Sequence, residues 1–417
     1  MRTLLTLLLL LPLSLRAQDV LIPMDASQSD HLKAYGVAFW VLERGQDVDW
    51  LLNYRGGSFM TPAFPALIQE LRIRNVSFQE LSGSESARVI SEVESDAANT
   101  AVVRLEKAPR IAVYAPKQTL PWDDAVLLAM TYAEVPYELI YDDDVLDGKL
   151  DEYDWVHIHH EDFTGQYGKF YAMYRNQPWY VEQQRRAEAA ARKHGFRKVS
   201  RLKLEVALTL RNYVAGGGFL FGMCSGTDTI DLALAARNTD IAPSPFDGDP
   251  VDPDAQAKLD YSQTFAFHNF SPSFNPMEYE HSDVDVAPPA PMQDPLLDYF
   301  TLFDFSAKWD PVPTMLTQNH VATVKGFMGQ ATSYRKKYIK PEVVILAEAP
   351  NQGRVRYLHG AFGQGTFTFY AGHDPEDYKH LVGDPPTDLA LHKNSPGYRL
   401  ILNNILFPAA KKKKQKT

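Results

Sequence analysis

The stretch Gly218-Phe219-Leu220-Phe221-Gly222-Met223-Cys224-Ser225-Gly226 decides the reading of this chain. A short apolar run leads into Gly222-Met223-Cys224-Ser225-Gly226, and residues 227–236 have helical spacing. The order is strand, sharp turn, helix, which is the setting of a nucleophile elbow: a tight turn holds one side chain out at the top of a sheet. The following helix would aim its N-terminal dipole at the sulfur and favour the thiolate. The plainer alternative is a small buried residue in a sheet core, since unpaired cysteine is among the most buried residue types.

Outward from the elbow, residues 110–115, 137–141 and 153–159 read as strands, and 123–134 and 203–214 as helices. This alternation predicts an α/β domain with a doubly wound, flavodoxin-like, mostly parallel sheet, whose active edge lies at the carboxyl ends of the strands. Regular patterning returns at 343–347, 355–359 and 366–370, and 399–407 reads as a closing helix. Between them, about 240–335, lies an irregular insertion rich in Pro, Asp and aromatic residues, placed to cover the active edge. Residues 18–107 form a smaller α/β unit, with strands at 20–22, 48–53 and 76–81 and helices at 30–44, 62–74 and 84–98; its alternation also predicts a parallel sheet.

The ends and the composition narrow the class. Arg2, the apolar core from Leu4 to Leu13 and the small Ala17 read as a signal peptide over 1–17, so export to the periplasm or beyond is expected. No later stretch reaches membrane-spanning length. The domain reading is therefore a leader (1–17), an N-terminal unit (18–107), a main domain (108–410) and a basic tail (411–417). A net charge of −10 argues against a nucleic-acid partner, and 45 % apolar residues supply a large core. With one cysteine in an oxidising compartment no internal disulfide forms, so Cys224 is either shielded or kept as a thiol for use.

The elbow and the segment Phe362-Gly363-Gln364-Gly365-Thr366-Phe367-Thr368-Phe369-Tyr370-Ala371-Gly372-His373-Asp374-Pro375-Glu376 together resemble the class I glutamine amidotransferase-like superfamily, and its ThuA-like branch in the Gly-x-Gly turn, aromatic strand and Gly-His ending. The resemblance implies Cys224 as nucleophile, His373 as base and Glu376 as the residue that orients it. The Gly-His-Asp-Pro-Glu spacing is one residue longer than the family's His-Pro-Glu, which makes Asp374 a rival. The ThuA-like branch is linked to sugar utilisation. The whole chain is also similar to secreted bacterial proteins labelled asparagine synthetase B, through Ala34-Tyr35-Gly36, Trp50-Leu51-Leu52-Asn53-Tyr54-Arg55-Gly56-Gly57-Ser58-Phe59 and the 372–378 stretch. The chemistry in that label uses a cysteine at the mature N-terminus and an S-G-G-x-D-S loop; this chain has Gln18 after the leader and Ser225-Gly226-Thr227-Asp228-Thr229.

A thiolate nucleophile needs a base and oxyanion donors. The Ser225 amide is one candidate donor, and the loop Thr164-Gly165-Gln166 is another. His157-Ile158-His159-His160-Glu161-Asp162 is a second cluster. On a strand His157 and His159 share a face and His160 takes the other. His157, His159 and Glu161 are candidate ligands of a divalent metal, while His159, His160 and Glu161 could instead bind substrate hydroxyls. The acidic run 247–254 departs from EF-hand spacing. Trp122, Trp155, Tyr167 and Trp179 could stack on a sugar or simply fill a core. The expectation is an exported Cys-His hydrolase of C–N or acyl bonds with a small-molecule or carbohydrate substrate. The alternatives are a ThuA-like carbohydrate protein without a cysteine nucleophile and a non-catalytic binding module.

Overall fold

The computed structural model describes residues 18–118, 120–286, 294–310, 321–350 and 352–410. The expected leader and the basic tail lie outside them. Two sheets organise the chain. The first has five strands, β1 (Asp19–Ile22), β2 (Val48–Leu52), β3 (Ser58–Pro62), β4 (Gln79–Leu81) and β5 (Ala101–Leu105), in the order β4-β1-β3-β2-β5. Every pairing in it is antiparallel, which corrects the parallel sheet expected for 18–107. The cause is local. Asn53, Arg55, Gly56 and Gly57 all take positive φ, so the chain reverses tightly after β2 and returns as a hairpin partner.

The second sheet has ten strands: β6 (Ile111–Tyr114), β7 (Glu138–Ile140), β8 (Trp155–Ile158), β9 (Phe219–Met223), β10 (Tyr299–Leu302), β11 (Thr323–Lys325), β12 (Tyr334–Arg335), β13 (Val344–Ala349), β14 (Arg354–Phe362) and β15 (Gly365–Tyr370). Its order is β11-β10-β13-β14-β15-β9-β8-β6-β7, with β12 on β14. The half β15-β9-β8-β6-β7 is parallel and the rest antiparallel, so the architecture is a mixed α/β sheet. β6, β8 and β9 are buried at every residue, as strands covered on both faces must be. Part of the expected irregular insertion is regular, because β10, β11 and β12 extend the sheet.

The boundary near residue 108 is a change of sheet and not a break in the core. Val20, Trp50 and Phe59 belong to one apolar cluster with Val113, Trp155 and Phe221. The helix His31–Glu43, capped by Asp30 on the Lys33 amide at 2.9 Å, packs against the helices Ala125–Ala133 and Pro396–Leu406. Among the described residues no helix is long and apolar enough to cross a membrane.

Candidate functional site

Four neighbouring parallel strands deliver their carboxyl ends to one edge. β6 leads to Asp123 and Asp124, β8 to His159 and His160, β9 to Cys224, and β15 to His373. One donor atom from each of His159, His160, Cys224 and His373 lies within 4.8 Å of the others. The carboxyl edge of a parallel sheet is where such convergence is expected, because successive loops start there side by side.

Cys224 holds φ 47°, ψ −139° directly before the helix Ser225–Ala235. A non-glycine residue at positive φ costs of order 1–3 kcal/mol and persists only where the surroundings impose it. They do so here: Cys224 N–H donates to Gly372 O (3.2 Å) and Gly226 N–H to His159 O (2.7 Å), which ties the elbow to both neighbouring loops. Glycine at 226 suits this approach, since a Cβ there would stand 3.0 Å from His159 O and press on it. The sulfur faces the main-chain N–H groups of Ser225 and Gln330. Burial nevertheless pushes the thiol up to about 12; the two N–H groups pull it down, and Asp285 and Asp228 push it further up. This reverses the activated thiolate expected from the helix dipole, because a side chain only 5 % exposed loses more from desolvation than two amides return.

Two imidazoles of the cluster, His160 and His373, are held through Nε2, and the third lies beside a carboxylate. His159 Nδ1 lies 3.2 Å from Asp124 Oδ1, an ion-pair distance without hydrogen-bond geometry, and neither of its ring nitrogens has a hydrogen-bond partner among the described residues. His160 Nε2–H donates to the Asp123 carbonyl at 2.7 Å. His373 Nε2 lies 3.2 Å from Asp123 Oδ1. His159 and His160 stack with centroids 4.0 Å apart, and His373 lies 4.7 Å from His160. Burial lowers His159 to about 4, with Asp124 opposing and His373 and His157 assisting. Desolvation, then His159 and His373, holds His160 well below its ordinary value, so both rings are neutral at pH 7. Burial works to raise Asp124, but His159 and His157 overcome it and hold that carboxyl well below the usual range.

The remaining expected site residues are placed differently. Glu376 does not reach His373; its carboxylate pairs with His392 Nδ1 at 3.1 Å. Asp374 is buried, accepting from Thr387 Oγ1 (2.7 Å) and the Glu376 amide (2.8 Å). The carboxylate on His373 is Asp123, because the extra residue in Gly-His-Asp-Pro-Glu turns the loop away. Gly165 packs on the start of the helix Val199–Ala215, where a Cβ would meet Ser200 N at 2.6 Å, and Gln166 Nε2 donates to Thr164 Oγ1. The amide beside the sulfur comes instead from Gln330, in the insertion. The expected metal set also changes. Glu161 turns back to accept the His159 amide at 3.0 Å, and burial raises it to about 8. His157 sits under the site, with Nδ1 on Phe221 O (2.9 Å) and Nε2 3.5 Å from Asp124. β8 ends at Ile158, so the strand alternation stops there and His160 swings to the side of His159.

Asp123, Asp124 and Gln330 were not singled out by the sequence. Asp124 carries a legible signal: it precedes an apolar helix and caps it, accepting from the Val126 and Leu127 amides. Gln330 has no such signal. The insertion does cover the edge, as the amides of His373 and Gly372 donate to Met328 O and Ala331 O. Of the expected stacking aromatics, Trp155 and Tyr167 are buried in cores. Trp122 and Trp179 meet edge-on beside His160, with Phe170 between Trp122 and Tyr279.

Comparison with known proteins gives this chain no family. No family model matches it, and no curated protein does. Among solved structures it is similar to the cytoplasmic protein STM3548 from Salmonella typhimurium (11 % identity, 73 % of this chain, 100 % of that one, TM-score 0.36). It is also similar to the cytoplasmic protein STM1381 from Salmonella typhimurium LT2 (12 %, 72 %, 100 %, TM-score 0.36). A third likeness is to Gan42B, a GH42 beta-galactosidase (9 %, 65 %, 28 %, TM-score 0.28).

Proposed function

We propose that the chain is an exported hydrolase of C–N or related acyl bonds in small-molecule or carbohydrate substrates, with its reaction centre at Cys224 and His373. The core would be a doubly wound, flavodoxin-like one of the glutamine amidotransferase-like type. The observation that carries the reading is the strained Cys224, at φ 47° and ψ −139°, within 4.8 Å of the His373 donor atom. The resting thiol is protonated, so His373 acts in the transition state rather than by forming a resting ion pair. Sulfur attacks the carbonyl carbon while its proton passes to His373. The Ser225 and Gln330 amides, which face the sulfur, are the groups that would donate to the developing oxyanion. His373 returns the proton to the leaving nitrogen, and water then cleaves the thioester. Asp123 on Nε2 orients the ring and leaves Nδ1 as the nitrogen that takes the thiol proton. The test is turnover of an amide panel with acyl-enzyme trapping. Cys224→Ala and His373→Ala should each abolish the trapped thioester, and a thioester at unchanged yield in His373→Ala ends this reading.

A second reading, a carbohydrate-binding protein without a cysteine nucleophile, is favoured by the raised thiol and by the aromatic patch of Trp122, Phe170, Trp179 and Tyr279 beside His160. A glycan array separates it from the first.

A further inference from the structure

We propose that His159, His160, Cys224 and His373 form a binding site for a divalent transition metal of the zinc type, with Cys224 as its thiolate ligand. The proposal keeps the location of the reaction centre given above and changes the sulfur's role there. It stands whether or not the centre hydrolyses anything.

One nitrogen from each of three imidazoles lies within 4.8 Å of the Cys224 sulfur. A carbonyl can only accept, so His160 presents Nε2–H to Asp123 O and leaves Nδ1 as a bare acceptor. His373, with Nε2 on the Asp123 carboxylate, likewise leaves Nδ1, and His159 leaves Nε2. A single thiol proton can satisfy one of these three, whereas a cation satisfies all of them together with the sulfur. Metal-bound histidines typically give their second nitrogen to a carboxylate or carbonyl, which fixes tautomer and ring plane. His160 and His373 have that support, and His159 Nδ1 has the Asp124 carboxylate 3.2 Å away; none of the other histidine groups among the described residues supplies three rings and a sulfur.

Size and charge agree. A tetrahedral zinc with bonds of about 2.0 Å to nitrogen and about 2.3 Å to sulfur sets its ligand atoms roughly 3.3–3.6 Å apart. Four donors within 4.8 Å of one another need to close by at most about 1.5 Å. Imidazole with thiolate is the donor set of zinc and its neighbours and is unsuited to calcium or magnesium. On binding, the S–H bond breaks, its proton goes to solvent, and the sulfur–metal bond forms. The dication is then balanced by the thiolate and by the Asp123 and Asp124 carboxylates behind the rings. His159 and Cys224 follow parallel strands directly, His373 comes three residues after β15 with its amide on Met328 O, and His160 is tied to Asp123, so little backbone has to move.

The mature chain should be purified without chelator, its metal content measured, and the stripped protein titrated with Co²⁺. The expected result is about one equivalent of zinc-type metal and a cobalt spectrum with tetrahedral d–d bands and a sulfur-to-cobalt charge-transfer band. Cys224→Ser should lose that band, and His160→Ala should weaken cobalt binding at least tenfold. Glu376→Gln, away from the cluster, should change neither. If the variants misfold, X-ray absorption on the unaltered zinc protein tests the same ligand set: it should show one sulfur and three nitrogen neighbours. Less than a tenth of an equivalent together with cobalt spectra lacking the charge-transfer band overturns the proposal. Alkylation separates this outcome from the hydrolase reading. A thiol protected by metal and released by chelation supports the ligand role. A metal-free thiol that forms the His373-dependent thioester supports the nucleophile. A chain with neither metal nor thioester loses both.

Discussion

Because Cys224 is the only cysteine, its alkylation reads one group without correction. The perturbation is a pH series on the chelator-treated protein, and the assay is the rate of iodoacetamide adduct formation followed by intact mass. At pH 7.5 a free thiol with a pKa of about 8.5 is roughly one-tenth thiolate. A thiol pushed up to about 12 is thiolate only a few times in 100,000, a deficit of about 3.5 decades. Greater basicity makes each thiolate more nucleophilic and returns about 1.5 decades. The net expectation is a rate roughly 100-fold below that of a free thiol, before any further loss from the 5 % exposure. The rate should climb about tenfold per pH unit with no plateau up to pH 10.5. His373→Ala should leave that slope unchanged, because burial and not the imidazole sets the resting thiol. A plateau with a midpoint at or below 8.5 would refute the reasoning and restore an activated thiolate.

Other perturbations test the frame around the sulfur. Cys224→Gly should be more stable than Cys224→Ala by about 1 kcal/mol in urea melts, because only glycine takes φ 47° without strain. Gly226→Ala should cost roughly 1–3 kcal/mol and lower cobalt affinity, as its Cβ would press on His159 O. Breaking the buried Arg356–Asp298 pair, whose atoms are 2.6–2.7 Å apart, by Asp298→Ala should destabilise the chain by about 3–5 kcal/mol in the same melts, while Lys325→Ala on the exposed edge should cost under 1. Glu161, raised to about 8 by burial, keeps a proton in the folded chain that the unfolded chain releases near 4.5. Stability from this group is therefore present below pH 4.5 and falls as pH rises toward 8. Glu161→Gln should gain on the parent by roughly 3–5 kcal/mol between those limits in stability measured against pH, and a flat difference curve would remove the buried-acid assignment.

Much of the frame was legible because local pattern and tertiary burial agree there. The strands at 111–114, 155–158, 219–223 and 365–370 are apolar, short and bounded by Gly or polar residues, and all lie in the parallel half of the sheet. The N-terminal sheet departs from the pattern because strand–helix alternation carries no information on strand direction once a tight positive-φ turn intervenes at 53–57. In the site, Cys224 and His373 were legible from their place after strands, and Glu376 was not assignable because one inserted residue redirects a loop. The alternation rule puts His160 on the wrong face because β8 ends two residues before it. Gln330 reaches the sulfur from 106 residues away through an insertion whose path no local pattern encodes.

The two roles offered for the sulfur follow from one electrostatic fact. A buried thiol beside the neutral His159 and His160 is poor at ionising alone, since a thiolate there has to be created in a desolvated place. It can ionise when its proton is handed to His373 during attack, or when a dication compensates the thiolate. Asp123 and Asp124 favour both routes, because each is a fixed negative charge behind a ring that must become positive or bind something positive. Asp123→Asn should therefore damage either role, lowering thioester yield in the first and metal affinity in the second. Asp124 lies against His159 and His157, and its Oδ1 caps a helix, a role the Asn side-chain oxygen can keep; Asp124→Asn should therefore reduce metal affinity while leaving the His373-dependent thioester in place. The pair of carboxylate variants thus distinguishes nucleophile from ligand without touching the sulfur itself.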